Sequence, residues 1–387
     1  MPQPLSRRHF LARGTAMGCS LAASPLVTPV TLASAPWDSR LIVIILRGGM
    51  DGLDVVRPVG DPAFAALRPT LNTGKAPIDL DGFFALHPAL ASLMPLWHGQ
   101  ELGFVHAVST PYRDKRSHFD GQDLLEAGTD ALAGGVRNGW LNRMLQEVPG
   151  IRADTAYAIG NSDIRVLDGA APVANWAPEA NLRLSPQALR LAELVMEDDP
   201  ALHAALAEAE MLSVTASGQS PQGMAHNKIA QFAASRLRGD ARVAAFSLGG
   251  WDTHRRQDRA LPRSLTALAD TLLTLRSGLG PVWDKTAVVA MTEFGRTARE
   301  NGTGGTDHGT AGLMLMAGGT VRGGRVYGRW PGLGSADLYD ERDLMPTDDV
   351  RAPVAWIMRG MAGLSRATLE ARIFPGLEMG SDANLLR

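Results

Sequence analysis

Five short apolar runs punctuate the chain, at positions 41–46, 102–108, 242–248, 286–292 and 313–317, each stopped by Gly, Ser or an acidic residue. The first, Leu41-Ile42-Val43-Ile44-Ile45-Leu46, is continuous rather than alternating, the pattern of a strand covered on both faces. Between these runs, helical periodicity predicts helices over 87–97, 117–127, 139–148, 185–212, 224–237, 260–277 and 348–361. Ser185-Pro186 supplies the longest with a cap and a proline at its first position. Strands alternating with helices of this length predict an α/β fold with a mainly parallel sheet, as one domain over 36–387. The stretches 160–178 and 213–223 read as loops that could border a helical insertion.

In such a sheet, chemistry belongs beyond the carboxyl ends of the strands. The first strand delivers Arg47-Gly48-Gly49-Met50-Asp51-Gly52-Leu53-Asp54, either a tight turn with solvated aspartates or a pair of carboxylates at the sheet edge. The second is followed by Ser109–His118, where hydroxyls and the bases Arg113, Lys115 and Arg116 crowd a helix start; Ser117 is either a plain cap or a functional hydroxyl. After the third, Asp252 and His254 stand two apart and can reach one metal. Glu293 and Arg296 follow the fourth, and Asp307-His308 comes just ahead of the fifth. Two histidines and several carboxylates at one end of one sheet suggest a site rather than buried structural groups. His87, His98, His203 and His226 read as structural or solvated.

Composition narrows the chemistry. With 38 Lys+Arg against 40 Asp+Glu there is no positive surplus for a nucleic-acid backbone. Residues 1–35 hold Arg7, Arg8 and Arg13 and no acid, which leaves 35 bases against 40 acids from position 36 onward. The single Cys19 lies in that opening segment, so disulfides, thiolate ligands and a cysteine nucleophile are excluded from the rest. Ser6-Arg7-Arg8-His9-Phe10-Leu11 before an acid-free apolar run resembles a twin-arginine export signal, with cleavage expected before Ser34 or after Ala35. A periplasmic or secreted location, the twin-arginine export machinery as a partner and no membrane span in the mature chain are the expectations. Neither GxSxG nor HExxH occurs, which removes the serine-hydrolase elbow and the common zinc-protease helix.

Taken together, Leu41–Val55, the Arg-Ser-His-Phe-Asp-Gly-Gln-Asp stretch at 116–123, Gly249–His254, Thr292–Arg296 and 307–310 resemble the DUF1501 family of exported bacterial proteins. That family in turn resembles the alkaline phosphatase and sulfatase superfamily, which implies a sheet sandwiched by helices and a metal site at the strand ends. The resemblance implies Asp51, Asp252, His254, Glu293, Asp307 and His308 as metal ligands and Ser117 as nucleophile. Arg113, Arg116 and Arg296 would stabilise negative charge in the transition state. Ser109-Thr110-Pro111-Tyr112-Arg113 also fits the Ser-x-Pro-x-Arg pattern that sulfatases convert to formylglycine. Two positions depart from the superfamily pattern: Arg47 stands where an Asp is expected, and Glu293-Phe294 where Asp-His is expected. The expected function is a metal-dependent hydrolase of phosphate or sulfate esters acting on a small anionic ester, with zinc or manganese ahead of calcium. The alternative is a binding or assembly protein that keeps the fold without turnover.

Overall fold

Alternate residues of β1 (Arg40–Leu46) enter opposite cores, Ile42, Ile44 and Leu46 on one face and Leu41, Val43 and Ile45 on the other. That is why the run is continuously apolar. In this computed structural model residues 37–387 are described, apart from 72–73, 75, 114–115, 132–137, 161–163 and 179–224. The expected leader, Cys19, the helix over 185–212 and the 213–223 stretch lie outside the described residues.

The other long strands are β2 (Leu102–Ser109), β5 (Val243–Leu248), β6 (Thr286–Met291) and β7 (Gly312–Ala317). Shorter ones are β3 (Ala156–Ile159), β4 (Ala174–Trp176), β8 (Val326–Tyr327) and β9 (Asp348–Asp349). The sheet order is β8-β2-β7-β6-β1-β5-β3-β4, with β9 also paired to β2. All five predicted strands are present. The sheet is mainly parallel, and β7 runs antiparallel to both β2 and β6. Its direction matters for the site. A residue that precedes β7 lies at the same sheet edge as residues that follow its neighbours, so His308 meets the ends of β1, β5 and β6.

Helices cover both faces. On one side lie α3 (Ala225–Leu237) and α4 (Gln257–Leu279), which buries Leu261, Leu265, Leu268, Leu272, Leu275 and Leu279, an apolar stripe at helical spacing. On the other lie α1 (His118–Ala127), α2 (Trp140–Gln146) and α5 (Arg351–Ala362), through Leu125, Trp140 and Val354. At roughly 1.5–3 kcal/mol for each fully buried aliphatic side chain, the two cores make the sheet a stiff base for the loops at its edge.

Two local expectations change. The helix expected over 87–97 is a 3-10 stretch, Pro88–Leu93, running into a short helix, Met94–His98. The 160–178 stretch contains β4, and β3 precedes it. Both strands are short, four and three residues, and they pair outward from β5.

Candidate metal centre at the sheet edge

The turn after β1 is made by Gly48 and Gly49, with φ of +126° and +66°. A side chain at Gly48 would collide with the Asp252 amide, its Cβ only 2.6 Å away. Glycine therefore lets the β1 and β5 loops close on each other. Arg296, which follows β6, fastens them. Its buried guanidinium donates to the carbonyls of Gly48 (2.6 Å), Gly49 (2.6 Å), Trp251 (3.1 Å) and Thr306 (2.9 Å), and to Asp252 Oδ1 (2.7 Å). The chain then turns back so that Arg296 and His308 form an antiparallel bridge.

Around Asp252 three imidazoles converge. His254 Nε2 lies 3.1 Å and His308 Nε2 3.4 Å from Asp252 Oδ1, and His118 Nε2 lies 3.5 Å from Oδ2. His118, Asp252 and His308 offer ligand atoms all within 4.8 Å of one another. His118 is the first residue of α1, held there by the Ser117 cap, whose Oγ accepts from the Asp120 amide.

The opposite nitrogen of each ring is committed. His118 Nδ1 donates to Glu293 Oε1 (2.8 Å), His254 Nδ1 to Asp307 Oδ1 (3.2 Å) and His308 Nδ1 to the Arg116 carbonyl (2.9 Å). An ionised carboxylate or a carbonyl can only accept, so each Nδ1 donates, and wherever the ring is neutral its Nε2 presents a lone pair. His254 and His308 then face each other, Nε2 to Nε2, at 2.9 Å. Only a shared proton or a cation makes that arrangement favourable. His118 Nε2 is a buried atom without a hydrogen-bond partner. Imidazoles oriented through Nδ1 by an oxygen, with Nε2 turned toward a shared carboxylate, are the kind of donor set a metal site uses.

The rings differ electrostatically. The hydrogen bond to Glu293 raises the His118 pKa above its ordinary value, against burial, so a metal binding there would have to displace a proton held more firmly than in a free imidazole. Burial lowers the His308 pKa, favouring the neutral imidazole that a ligand must be. Burial works against charge on Asp252, but the hydrogen bond and field of Arg296 outweigh it and hold the carboxyl below the usual range. Glu293 is fully buried and also held low, because His118, Gln122 and Thr292 all donate to it. Glu293→Gln keeps the shape and removes the charge behind His118. Metal affinity is expected to fall about 10–100-fold, measured by competition with a chromogenic chelator.

The structure brings together Asp252, His254 and His308, with Asp307 and Glu293 behind them as acceptors from histidine. It does not bring Asp51 there. Both Asp51 oxygens are taken by Arg68 (2.6 and 3.1 Å) and one by Gln257 (2.6 Å), in a buried network shared with Asp54. Arg47 pairs with Glu126 and Gln122. Ser117 Oγ has the Asp120 amide as its partner, at 3.4 Å. Arg113 curls onto its own loop, to Ser109 Oγ and the Thr110 and Tyr112 carbonyls, and Ser109 is itself buried and bonded to the Thr110 carbonyl. The Arg116 side chain is about one-third exposed, 3.5 Å from Asp343, while its carbonyl orients His308. Arg296 spends its nitrogens on the loops. His118 was not among the candidates from sequence, although it lies within the 116–123 motif; its signal is a histidine directly after a helix cap at a strand's carboxyl end.

Fold and site together define an α/β protein with a histidine-rich candidate metal centre at the carboxyl edge of a mainly parallel sheet. The chain belongs to the DUF1501 family, described as "Protein of unknown function", whose profile matches residues 38–352. No curated protein sequence matches it. Among solved structures it is similar to the C-terminal periplasmic domain of EptC from Escherichia coli, at 10% identity over 91% of this chain and 89% of that one, TM-score 0.41. It is also similar to the lipoteichoic acid synthase LtaP from Listeria monocytogenes (9% identity, 90% and 78% covered, TM-score 0.38). A third is a protein in the alkaline phosphatase superfamily from Vibrio parahaemolyticus (11% identity, 86% and 71% covered, TM-score 0.35). Among the described residues no helix is long and apolar enough to cross a membrane.

Proposed function

We propose that this protein is a metal-dependent hydrolase of phosphate or sulfate esters, with one divalent ion held by His118, Asp252, His254 and His308. The observation that carries the reading is that His118, Asp252 and His308 offer ligand atoms all within 4.8 Å of one another, with His254 Nε2 beside them at 2.9 Å from His308 Nε2 and 3.1 Å from Asp252. Three imidazoles and a carboxylate, without thiolate, suit zinc or manganese rather than calcium. Bound there, such an ion supplies Lewis-acid polarisation of an ester oxygen and a lowered pKa for water.

The chain's own groups divide the remaining tasks. Glu293, Asp307 and the Arg116 carbonyl fix the three rings, and Arg296 keeps Asp252 ionised. The first turn of α1 begins at His118, so its unpaired amides and the positive end of the helix lie beside the same centre and favour an anionic group. Ser117 serves this account as the cap that places His118, with water as the nucleophile. Ser117→Ala is expected to lower stability by about 1 kcal/mol in denaturant unfolding while hydrolysis of an aryl phosphate or sulfate continues. Turnover abolished at unchanged metal content would instead make Ser117 the nucleophile.

The rival reading, a metal-binding protein without turnover, is favoured by one observation: Arg68 occupies both oxygens of Asp51, which leaves a single cluster of ligands among the described residues. A panel of aryl phosphate, phosphodiester and sulfate esters separates the two. Stoichiometric metal with no hydrolysis on any of them would establish the rival. Residues 1–35 are taken as a twin-arginine leader, with the export machinery as partner and the periplasm or medium as destination.

A further inference from the structure

His118, Gln122 and Glu126 recur every four residues along α1, so they stand in one row down the helix. Glu126 is fully buried and Gln122 partly so. Buried polar groups need partners, and the loops beyond β1 and β6 supply them. Arg47, which follows β1, donates to Gln122 Oε1 at 2.7 Å and pairs with Glu126 Oε1 at 2.8 Å. The other Glu126 oxygen accepts the Val166 amide at 3.0 Å. Beyond β6, Glu293 receives Gln122 Nε2 at 3.0 Å on Oε1. That same oxygen receives His118 Nδ1 at 2.8 Å and the Gly48 amide at 2.9 Å. A guanidinium can only donate and an ionised carboxylate can only accept, so the Gln122 amide has one orientation, carbonyl to Arg47 and NH2 to Glu293. A flipped amide would set NH2 against the guanidinium and oxygen against the carboxylate. Arg47, anchored on buried Glu126, thus holds Gln122, and Gln122 holds the Glu293 oxygen on which the His118 ring depends.

We propose that Arg47 and Gln122 are positioning residues for His118, acting through Glu293 Oε1 to hold the imidazole with Nε2 toward Asp252. Neither is a ligand. Their importance to metal binding rests on the histidine centre of the proposed function.

The test is chelator competition for zinc on the full chain, with the His118 Nδ1 proton followed by long-range proton–nitrogen NMR in zinc-loaded and zinc-free protein. Gln122→Met is expected to weaken zinc binding about tenfold, the low end for a residue that supports a ligand, and to make the Nδ1 proton exchange faster with water. Arg47→Met is expected to weaken it too, but by less than about twofold once Gln122→Met is present, since both act through one oxygen. Removing Arg47 strands the buried Glu126, so if that variant does not fold, Arg47→Met with Glu126→Gln replaces it. Unchanged zinc affinity and unchanged proton exchange in folded Gln122→Met overturn the proposal. Lower stability with the Nδ1 proton unmoved gives both residues a structural role and overturns it as well. Fully additive losses from Arg47→Met and Gln122→Met overturn the placing of Arg47 behind Gln122. If the unmodified protein binds no zinc but Gln122→Met still frees the Nδ1 proton, the positioning stands and the metal reading falls.

Discussion

His118→Ala is expected to lower metal affinity by more than about 100-fold, beyond the range for removing a group that merely supports a ligand. Nε2 of His118 has no hydrogen-bond partner and lies 3.5 Å from Asp252, while Nδ1 is pinned by Glu293. An imidazole held so tightly on one side and left unpaired on the other serves the centre it faces. The substitution also strips a buried carboxylate of its histidine partner, so some loss of stability is expected from Glu293 alone. The double variant His118→Ala, Glu293→Gln separates the effects: neutralising the stranded carboxylate should recover stability and leave metal affinity low. Metal retained at full affinity in a folded His118→Ala protein would remove His118 from the ligand set.

Asp51→Asn is expected to act in the opposite sense, destabilising the protein by about 3–5 kcal/mol while the folded fraction still binds one equivalent of metal. Both partners of the Asp51–Arg68 pair are about 1% exposed, so removing the carboxylate charge strands a buried guanidinium. Burial alone would push the Asp51 carboxyl up, but Arg68 and Gln257 hold it below its ordinary value. The double variant Asp51→Asn, Arg68→Met should regain much of the loss, because the penalty comes from breaking the pair rather than from lacking it. Denaturant unfolding reads the first effect and chelator competition the second. A large drop in metal affinity at intact stability would restore Asp51 as a ligand.

The contrast between these residues shows what the sequence could convey. Strand β1 was legible because a strand buried on both faces must be apolar at every position. Strands β3 and β4 were not, since Ala156–Ile159 and Ala174–Trp176 are short and pair outward from β5. Asp252, His254 and His308 stood out because they bracket strands. That His308 reaches the same edge depends on the antiparallel direction of β7, and an apolar run carries no direction. Asp51 read as a ligand because its partner, Arg68, belongs to a segment with no pattern marking it as buried. His118 was overshadowed by its neighbour: Ser117 is the conspicuous hydroxyl, yet its evident role is to start the helix that presents His118. Arg296, expected to meet substrate, is instead the brace that closes three loops and charges Asp252.

X-ray absorption spectroscopy on stoichiometrically zinc-loaded protein tests the central claim most directly. One zinc per chain is predicted, with a first shell of three imidazoles and oxygen at about 2.0–2.2 Å. A shell without imidazole scattering, or zinc that His254→Ala and His308→Ala leave undisturbed, would contradict it.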